Sequence, residues 1–473
     1  MALEALVHVR TERLVVPVVD VGADDAERRG QVALGVEHGE RRQQEPSGEI
    51  AAGAEEDESM EHASNLRRPA ECTLQTTKGE RDVSIRSTHV GSLIRPASLL
   101  AFEAAIERGE SYDEAAYATT LKAEVADVVR RQADCGIDVV SDGEFGKANW
   151  IAYLYNRISG VGPRELGPGD SFLPPSRDRQ AFPGTYAQHD KEMFRAFAEN
   201  EVPAPAPSIY VCTGPIEYDR TAVDNDIANL RAALEGVDAE GFLPVVAPAS
   251  TYWLENEHYA TEEEFVYALA DALAVEYNAI VDSGLMLQVD DAVLMHEMDS
   301  ILAEGGSMKD YRDWAQLRVD ALNHALKGIP PEKVRYHVCW GSWHGPHAYD
   351  PPLAEVVDLV LQVNAHAYMM EQANPRHEHE WRVWEDVKLP EGKMLIPGVV
   401  THHTVIVEHP DLVADRLVRL AELVGPDNVM AGTDCGFAQT AFMQRVHPEV
   451  QWAKLTALAE GARIASDRLG VPA

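Results

Sequence analysis

The chain has 473 residues, 45% of them hydrophobic and 25% charged, which is the composition of a globular protein with one large core or two ordinary ones. Its formal net charge of −37 opposes binding to nucleic acid or to an anionic membrane, and it favours a small-molecule ligand or a protein partner. No stretch approaches the roughly 18 consecutive apolar residues of a membrane span. Arg10, Glu12 and Arg13 interrupt the apolar region at the N-terminus, so no signal peptide is predicted.

The first 82 residues differ in composition from the rest. Residues 43–58 are rich in Gln, Glu, Ala and Gly and contain almost no large apolar side chains. Such a segment buries too little surface to offset its ordering entropy, so residues 1–82 are predicted to be a disordered tail. Alternatively, the start site of this sequence is placed too early, and the true protein begins near Val83 or Ser84. Mass spectrometry of the native N-terminus tests this, and an intact Met1 would exclude it.

From residue 84 onward, nine short apolar runs have the length and composition of buried β-strands. They cover residues 85–93, 137–140, 208–214, 243–247, 285–289, 334–339, 367–370, 395–400 and 428–432. Helical patterns of ten or more residues separate most of them, which indicates parallel βαβ units.

This alternation predicts that residues 83–473 form one (β/α)8 TIM barrel. One run is surplus, and 208–214 is the candidate, because Pro203, Pro205 and Pro207 before it favour an edge strand. A doubly wound sheet fits the same alternation, but no Gly-rich phosphate loop follows the first strand.

Five cysteines are few and odd in number for a disulfide scaffold of this size, which favours a reducing, cytoplasmic location.

Two of the cysteines, Cys339 and Cys435, stand with His337 and Glu371 at the ends of predicted strands. His337 and Cys339 share one side of their strand because side chains alternate with period two. Two thiolates, an imidazole and a carboxylate form a ligand set that Zn²⁺ accepts. For His-x-Cys alone, a core histidine and a core cysteine would be the better interpretation; the set of four favours zinc.

Two acidic residues, Glu144 and Asp290, also end predicted strands, and Asp291 is a weaker candidate. An unpaired carboxylate at a barrel mouth is costly to desolvate. These side chains therefore bind either a substrate ammonium group or a loop arginine or lysine.

Histidines are dense on the same rim. His402 and His403 follow the run 395–400 and are placed for proton transfer, since imidazole titrates near neutral pH. The loop 374–381 carries two more histidines and resembles a second metal site, but a charged loop with one or two functional contacts is the preferred interpretation.

As a set, these motifs resemble the cobalamin-independent methionine synthase family in its single-barrel form, from about Ser87 to the C-terminus. The matching pieces are Ser87-Thr88-His89-Val90-Gly91-Ser92, Asp142-Gly143-Glu144, Val289-Asp290, His337-Val338-Cys339, Glu371, Gly398-Val399 and Asp434-Cys435-Gly436. The resemblance implies that zinc is bound by His337, Cys339, Glu371 and Cys435. It also implies that homocysteine is held by Gly91, Ser92, Glu144 and Asp290, and that His403 is the proton donor.

The implied activity is that of a 5-methyltetrahydropteroyltriglutamate–homocysteine S-methyltransferase, which moves a methyl group from a folate, or from a corrinoid, to a thiol. Its partners would be a small thiol and a methyl donor, and the oligomeric state stays open. Two departures matter. Full-length enzymes of the family carry a second, N-terminal barrel that helps to hold the folate polyglutamate, and the tail over residues 1–82 cannot replace it; Asp291 stands where the family typically has Glu.

The loops 340–350 and 374–381 look more like the branch that includes the epoxyalkane:coenzyme M transferases. Alkylation of another thiol, such as coenzyme M, is therefore the alternative, and Arg95, Lys147 and Arg376 are available to bind a sulfonate. A third possibility is a zinc- or thiol-binding barrel without activity, which the complete set of acids and histidines argues against.

Overall fold

The computed structural model describes residues 85–166, 175–199, 208–251 and 254–470. The predicted tail over residues 1–82 lies outside these ranges and stays a prediction. The strands are β1 (Val139–Val140), β2 (Val161–Glu165), β3 (Ser208–Cys212), β4 (Glu240–Val246), β5 (Leu254–Asn256), β6 (Met286–Asp291), β7 (Val334–Val338), β8 (Ala367–Glu371), β9 (Met394–Val400), β10 (Gly432–Thr433), β11 (Ala438–Thr440) and β12 (Met443–Gln444).

Seven of these strands form one parallel sheet in the order β1-β4-β6-β7-β8-β9-β10. Residues 87–88 close it into a ring, because Ser87 pairs in parallel with Ala431 and Thr88 pairs in parallel with Val139. This short segment is the first barrel strand. The predicted (β/α)8 barrel is therefore confirmed.

A helix follows each barrel strand, as a parallel barrel requires. The helices are Ala97–Glu107, Glu114–Asp134, Ala152–Tyr155, Arg177–Ala181, Pro183–Glu199, Thr221–Leu234, Glu262–Asp282, Val293–Ala303, Met308–Ala325, Leu353–Val360, Val383–Asp386, Pro410–Val424 and Pro448–Leu469. Local sequence sets several of their starts. Thr261 caps one helix by accepting from the Glu264 amide, and Ser307 forms a reciprocal capping box with Asp310. Within the described residues, no helix is long and apolar enough to cross a membrane.

The surplus run forms β3, which lies outside the barrel as predicted. It pairs antiparallel with β2 and parallel with β5, so the three strands make a separate small sheet. This sheet and the helices Arg177–Ala181 and Pro183–Glu199 belong to the connections that follow β1 and β4.

A compact apolar cluster identifies the inward-facing positions of the barrel. It contains Val90, Val139, Phe242, Ala367, Met369, Ile396 and Met430. These residues come from strands or strand extensions all around the ring, so they can meet only inside it. The Arg335 guanidinium lies 4.1 Å from the centroid of the Phe242 ring and is therefore also inside. Side-chain alternation then directs His337, Cys339 and Glu371 inward, toward the carboxyl ends of the strands.

Candidate functional site

Three predicted zinc ligands meet at the mouth of the barrel. The ligand atoms of His337, Cys339 and Cys435 all lie within 4.8 Å of one another, and all three residues are buried. The two sulfur atoms are 3.5 Å apart. β7 carries His337 and leads directly into Cys339, whereas Cys435 follows β10, so the barrel brings together residues that are distant in sequence.

Glu371, the last residue of β8, is the fourth predicted ligand and contacts this group of three. Its Oε1 accepts hydrogen bonds from the Cys339 thiol, at 3.1 Å, and from the Trp340 amide, at 3.2 Å. Its Oε2 accepts from Asn374 Nδ2 at 2.8 Å. Asn374 also donates to Asp434 Oδ2 at 3.2 Å, so one amide links the carboxylates on either side of the site.

The chemistry of these donors fits a bound cation. His337 Nδ1 is hydrogen-bonded to Asp290 Oδ1 at 2.9 Å, whereas Nε2 is buried and has no hydrogen-bond partner among the described residues. A carboxylate on one ring nitrogen and a vacant second nitrogen are the usual arrangement of a metal-binding histidine. The hydrogen bond to Cys435, together with burial, raises the pKa of the Cys339 thiol well above its ordinary value. If both thiols were ionised, two thiolates this close and this buried would need a positive charge between them.

The predicted acceptor-binding acids lie beside this centre. Asp290 and His337 are register partners on β6 and β7, which explains their hydrogen bond. Glu144 follows β1 on a turn in which Asp142 Oδ1 accepts from its amide at 2.9 Å. It is a non-glycine residue with φ of 59°, a strained backbone conformation that is concentrated at functional sites.

Glu144 and Asp290 influence each other electrostatically. Burial raises the pKa of Glu144 to about 7, and the charge of Asp290 adds to this effect, whereas Lys147 and Arg95 oppose it. Within the described residues, neither acid forms an ion pair with an arginine or lysine. The salt-bridge alternative is therefore not realised, and the negative charge of the pair stays available to a ligand.

Gly91 lies against Glu144, and Ser92 lies against the loop that carries Cys435. At Gly91, with φ of 133°, a Cβ atom would lie 2.8 Å from Pro244 Cγ and 3.4 Å from Glu144 Oε1. Glycine is therefore required at this close approach. The Ser92 hydroxyl donates to the Ala438 carbonyl, and the Phe437 amide donates to the Ser92 carbonyl at 2.9 Å. Ser92 thus joins the first strand to the segment that follows Cys435.

A cavity of about 330 Å³ opens next to Glu371. Its walls include Trp343, Arg376, His377, His402 and His403. Burial lowers the pKa of His403 to about 4, and the positive fields of His344, His347, Arg445 and Lys454 add to this effect. His403 therefore carries no positive charge at neutral pH in the free protein.

The loop 374–381 forms an ion cluster. His377 Nδ1 is 2.8 Å from Glu380 Oε2, and its Nε2 is 3.1 Å from Asp350 Oδ2. These contacts raise the pKa of His377 to about 10, although burial opposes the shift. Within the described residues, this cluster is not among the groups whose geometry could hold a metal ion.

Two of the three cations considered for a sulfonate are engaged by the protein. The Arg95 guanidinium donates to Ser92 Oγ and to three backbone carbonyls, among them that of Glu144 at 2.8 Å. Lys147 Nζ donates to the Pro244 carbonyl. Arg376 donates to the Ala348 carbonyl at 2.8 Å but is exposed and lines the cavity, so it is the cation best placed to meet a ligand there.

Several residues that support the site were not predicted from the sequence. Asn374 was not singled out, although it lies three residues after Glu371. Arg445 and Ser342 were missed as well, because their contacts join loops that are about a hundred residues apart. Asp434 was noted only as part of a motif; here it accepts from the amides of Gln372 and Ala373, at 2.9 and 2.8 Å.

Comparison with known proteins agrees with the motifs. Residues 85–168 match the family model described as the catalytic domain of cobalamin-independent synthase. A methionine synthase of Thermococcus kodakarensis is 23% identical over 79% of this chain and 91% of its own length. A 2-hydroxypropyl-CoM lyase of Xanthobacter autotrophicus is 24% identical over 82% of this chain and 96% of its own.

A solved structure shares the fold. The B12-independent methionine synthase from Shewanella sp. W3-18-1, solved in complex with selenomethionine, superimposes with a TM-score of 0.61 at 19% identity. The match covers 82% of this chain and 99% of that one. The predicted resemblance to the cobalamin-independent methionine synthase family is thus confirmed.

Proposed function

We propose that this chain is a zinc-dependent thiol methyltransferase that moves a methyl group from methyltetrahydrofolate, or from a corrinoid, to homocysteine. The observation that carries the proposal is the convergence of His337, Cys339, Cys435 and Glu371 beside a buried pair of acids. The names of the T. kodakarensis and Shewanella proteins, both methionine synthases, support the same reaction.

A zinc ion held by these four side chains would lower the pKa of a substrate thiol, about 8.5 in water, so that the thiolate exists at neutral pH. Asp290 keeps His337 oriented by accepting from Nδ1, which leaves Nε2 free to act as a ligand. Glu144 and Asp290 bind the ammonium group of the acceptor and thereby place its sulfur near the thiol pair. The apolar barrel interior below the site limits the approach of water from that side.

The thiolate attacks the methyl carbon, the bond between that carbon and its donor breaks, and the donor atom keeps the electron pair. A tertiary amine leaving group then needs a proton, and His403 is the proposed donor. Because the pKa of His403 is about 4 in the free protein, this role requires a negative charge on the co-substrate that raises it.

The direct test supplies the zinc-loaded protein with homocysteine and offers methyltetrahydrofolate, as mono- and triglutamate, and methylcobalamin separately. We expect methionine with at least one donor and about one zinc per chain. Absence of methionine with zinc still bound would contradict the homocysteine assignment and favour a different thiol. Absence of both methionine formation and bound zinc would contradict the zinc site itself.

The proposed role of Glu144 predicts a pH dependence. An ammonium group binds the ionised carboxylate, and below a pKa of about 7 the ionised fraction of Glu144 falls about tenfold per pH unit. The kcat/KM for homocysteine should fall by the same factor on this acidic limb, which reports the free enzyme. In Glu144→Gln the limb should disappear and the KM should be high at every pH. An unchanged acidic limb in that variant would assign the titration to another group.

Alkylation of coenzyme M, for example by an epoxide, is the second candidate. The similarity to the 2-hydroxypropyl-CoM lyase and the exposed Arg376 at the cavity favour it. Coenzyme M has a sulfonate and no ammonium group, so it leaves Glu144 and Asp290 without a partner. The buried acid pair therefore favours an amino acid thiol.

A further inference from the structure

A chain of hydrogen bonds links three residues that the proposed reaction does not use. Arg445 Nε–H donates to Ser342 Oγ at 3.3 Å, and Ser342 Oγ lies 2.8 Å from His402 Nε2. Arg445 follows the hairpin of β11 and β12, Ser342 lies in the loop after β7, and His402 lies in the loop after β9. All three loops meet at the mouth of the barrel.

The directions of these two hydrogen bonds determine which ring nitrogen of His402 carries the proton. A guanidinium nitrogen can only donate, so Ser342 Oγ accepts from Arg445. In the described part of the chain, His402 is the only other polar group to which the Ser342 side chain bonds. If Ser342 Oγ accepted from Nε2–H as well, both its own hydroxyl hydrogen and the Nδ1 lone pair would lack a partner, so the hydroxyl hydrogen is placed toward Nε2. Burial lowers the pKa of His402 well below its ordinary value, and His403 and Arg445 contribute, so the ring is neutral. Its one proton therefore resides on Nδ1.

His402 Nδ1 has no hydrogen-bond partner in the described structure, although the side chain is only 2% exposed. A buried N–H without an acceptor destabilises the protein, so a ligand that supplies the acceptor would account for its retention. His402 lines the cavity beside Glu371, and Nδ1 is its remaining polar atom. A neutral N–H at this place can donate a hydrogen bond to an acceptor atom of a bound ligand, and it disfavours the binding of a cation.

We propose that His402 binds an acceptor oxygen of the electrophilic co-substrate through Nδ1–H, and that Ser342 and Arg445 position it. The co-substrate part of this proposal rests on the proposed function, whereas the tautomer does not. The proposal separates two neighbouring histidines whose rings are 4.8 Å apart. His403 is the proposed proton donor, and His402 is a fixed, neutral hydrogen-bond donor.

The test that needs no substrate is a two-bond ¹H–¹⁵N correlation spectrum of protein labelled with ¹⁵N in histidine only. Loss of one signal set in His402→Asn or His402→Gln assigns the residue. We expect His402 to be protonated on Nδ1 alone in the wild type. In Ser342→Ala the proton should move to Nε2, and in Ser342→Thr, which keeps the hydroxyl, it should stay on Nδ1. A wild-type ring protonated on Nε2 or on both nitrogens would overturn the proposal, as would an unchanged tautomer in Ser342→Ala.

A pair of substitutions tests the contact with the co-substrate, using the donor that supports turnover in the methionine assay. Asparagine places an amide N–H near the position of Nδ1, whereas glutamine places it near Nε2. The kcat/KM for the donor should be about tenfold lower in His402→Gln than in His402→Asn, with the KM for homocysteine equal in both. Equal losses in the two variants would exclude the hydrogen bond. Absence of turnover in the wild type would contradict the proposed function, while the spectrum still decides the tautomer.

Discussion

Cys435→Ser is expected to abolish zinc binding and thiol alkylation while the barrel stays folded. Serine has nearly the shape of cysteine, but its hydroxyl does not ionise at neutral pH and is a poor zinc ligand. Loss of a residue that only orients a ligand costs 10–100-fold in metal affinity, so loss of a direct ligand should cost at least about 100-fold. Zinc content after dialysis and the rate of methionine formation should fall together, with an unchanged circular dichroism spectrum.

Cys212→Ser is the matched control for this substitution. Cys212 is also fully buried, but it lies on β3 in the small sheet outside the barrel, where its thiol donates to the Gly214 carbonyl at 3.3 Å. It should keep full zinc content and activity. If Cys435→Ser kept both as well, the assignment of the metal centre would be wrong.

The sequence predicted most of the barrel because its physical signals are local. The strand runs are apolar and β-branched, and most are separated by a long amphipathic helix, so the alternation of strands and helices and their order follow from the periodicity of the sequence. The sequence also predicted that the polar residues after the strands converge, because parallel strands place their carboxyl ends on one rim of the barrel. His337 and Cys339 were placed on one side of their strand for a different local reason, the period-two alternation of side chains.

Contacts between distant loops could not be predicted in this way. The run 85–93 was expected to be a strand, yet only Ser87 and Thr88 pair with neighbouring strands, and Gly91 then turns the chain with φ of 133°. Arg445 and Ser342 carry no local signal for their contact, which depends on how two loops fold over the rim. The hydrogen bond from His337 to Asp290 needed the strand register, which sequence periodicity leaves undetermined.

The register of β6 and β7 places Asp290 where it can have two roles, which the sequence did not distinguish. Its Oδ1 accepts from both Gln288 Nε2 and His337 Nδ1, each at 2.9 Å, so it orients a proposed zinc ligand. Its charge lies close enough to Glu144 to raise the pKa of that acid, so it also belongs to the proposed ammonium site. One carboxylate therefore connects the thiol-activating centre to the group that recognises the acceptor.

Two substitutions of Asp290 should separate these tasks. In Asp290→Asn the amide oxygen still accepts from His337, so zinc should be retained, but the missing charge should raise the KM for homocysteine about 100-fold. In Asp290→Ala the hydrogen bond that orients His337 is lost as well, so the zinc affinity should fall 10–100-fold below that of Asp290→Asn. Zinc affinity by competition with a chelator and the KM for homocysteine are the two measurements.

The neighbouring residue supplies the control. Asp291 points to the other side of β6, where its carboxylate accepts from Ser250 at 2.9 Å and from Tyr336 at 2.8 Å, so it holds the wall of the barrel. Asp291→Asn should lower thermal stability yet leave both the zinc affinity and the KM for homocysteine unchanged. If Asp290→Asn lost zinc as readily as Asp290→Ala, the charge and not the orientation would hold His337 in place. A KM for homocysteine unchanged in both Asp290 variants would remove Asp290 from the acceptor site, and the ammonium group would then depend on Glu144 alone.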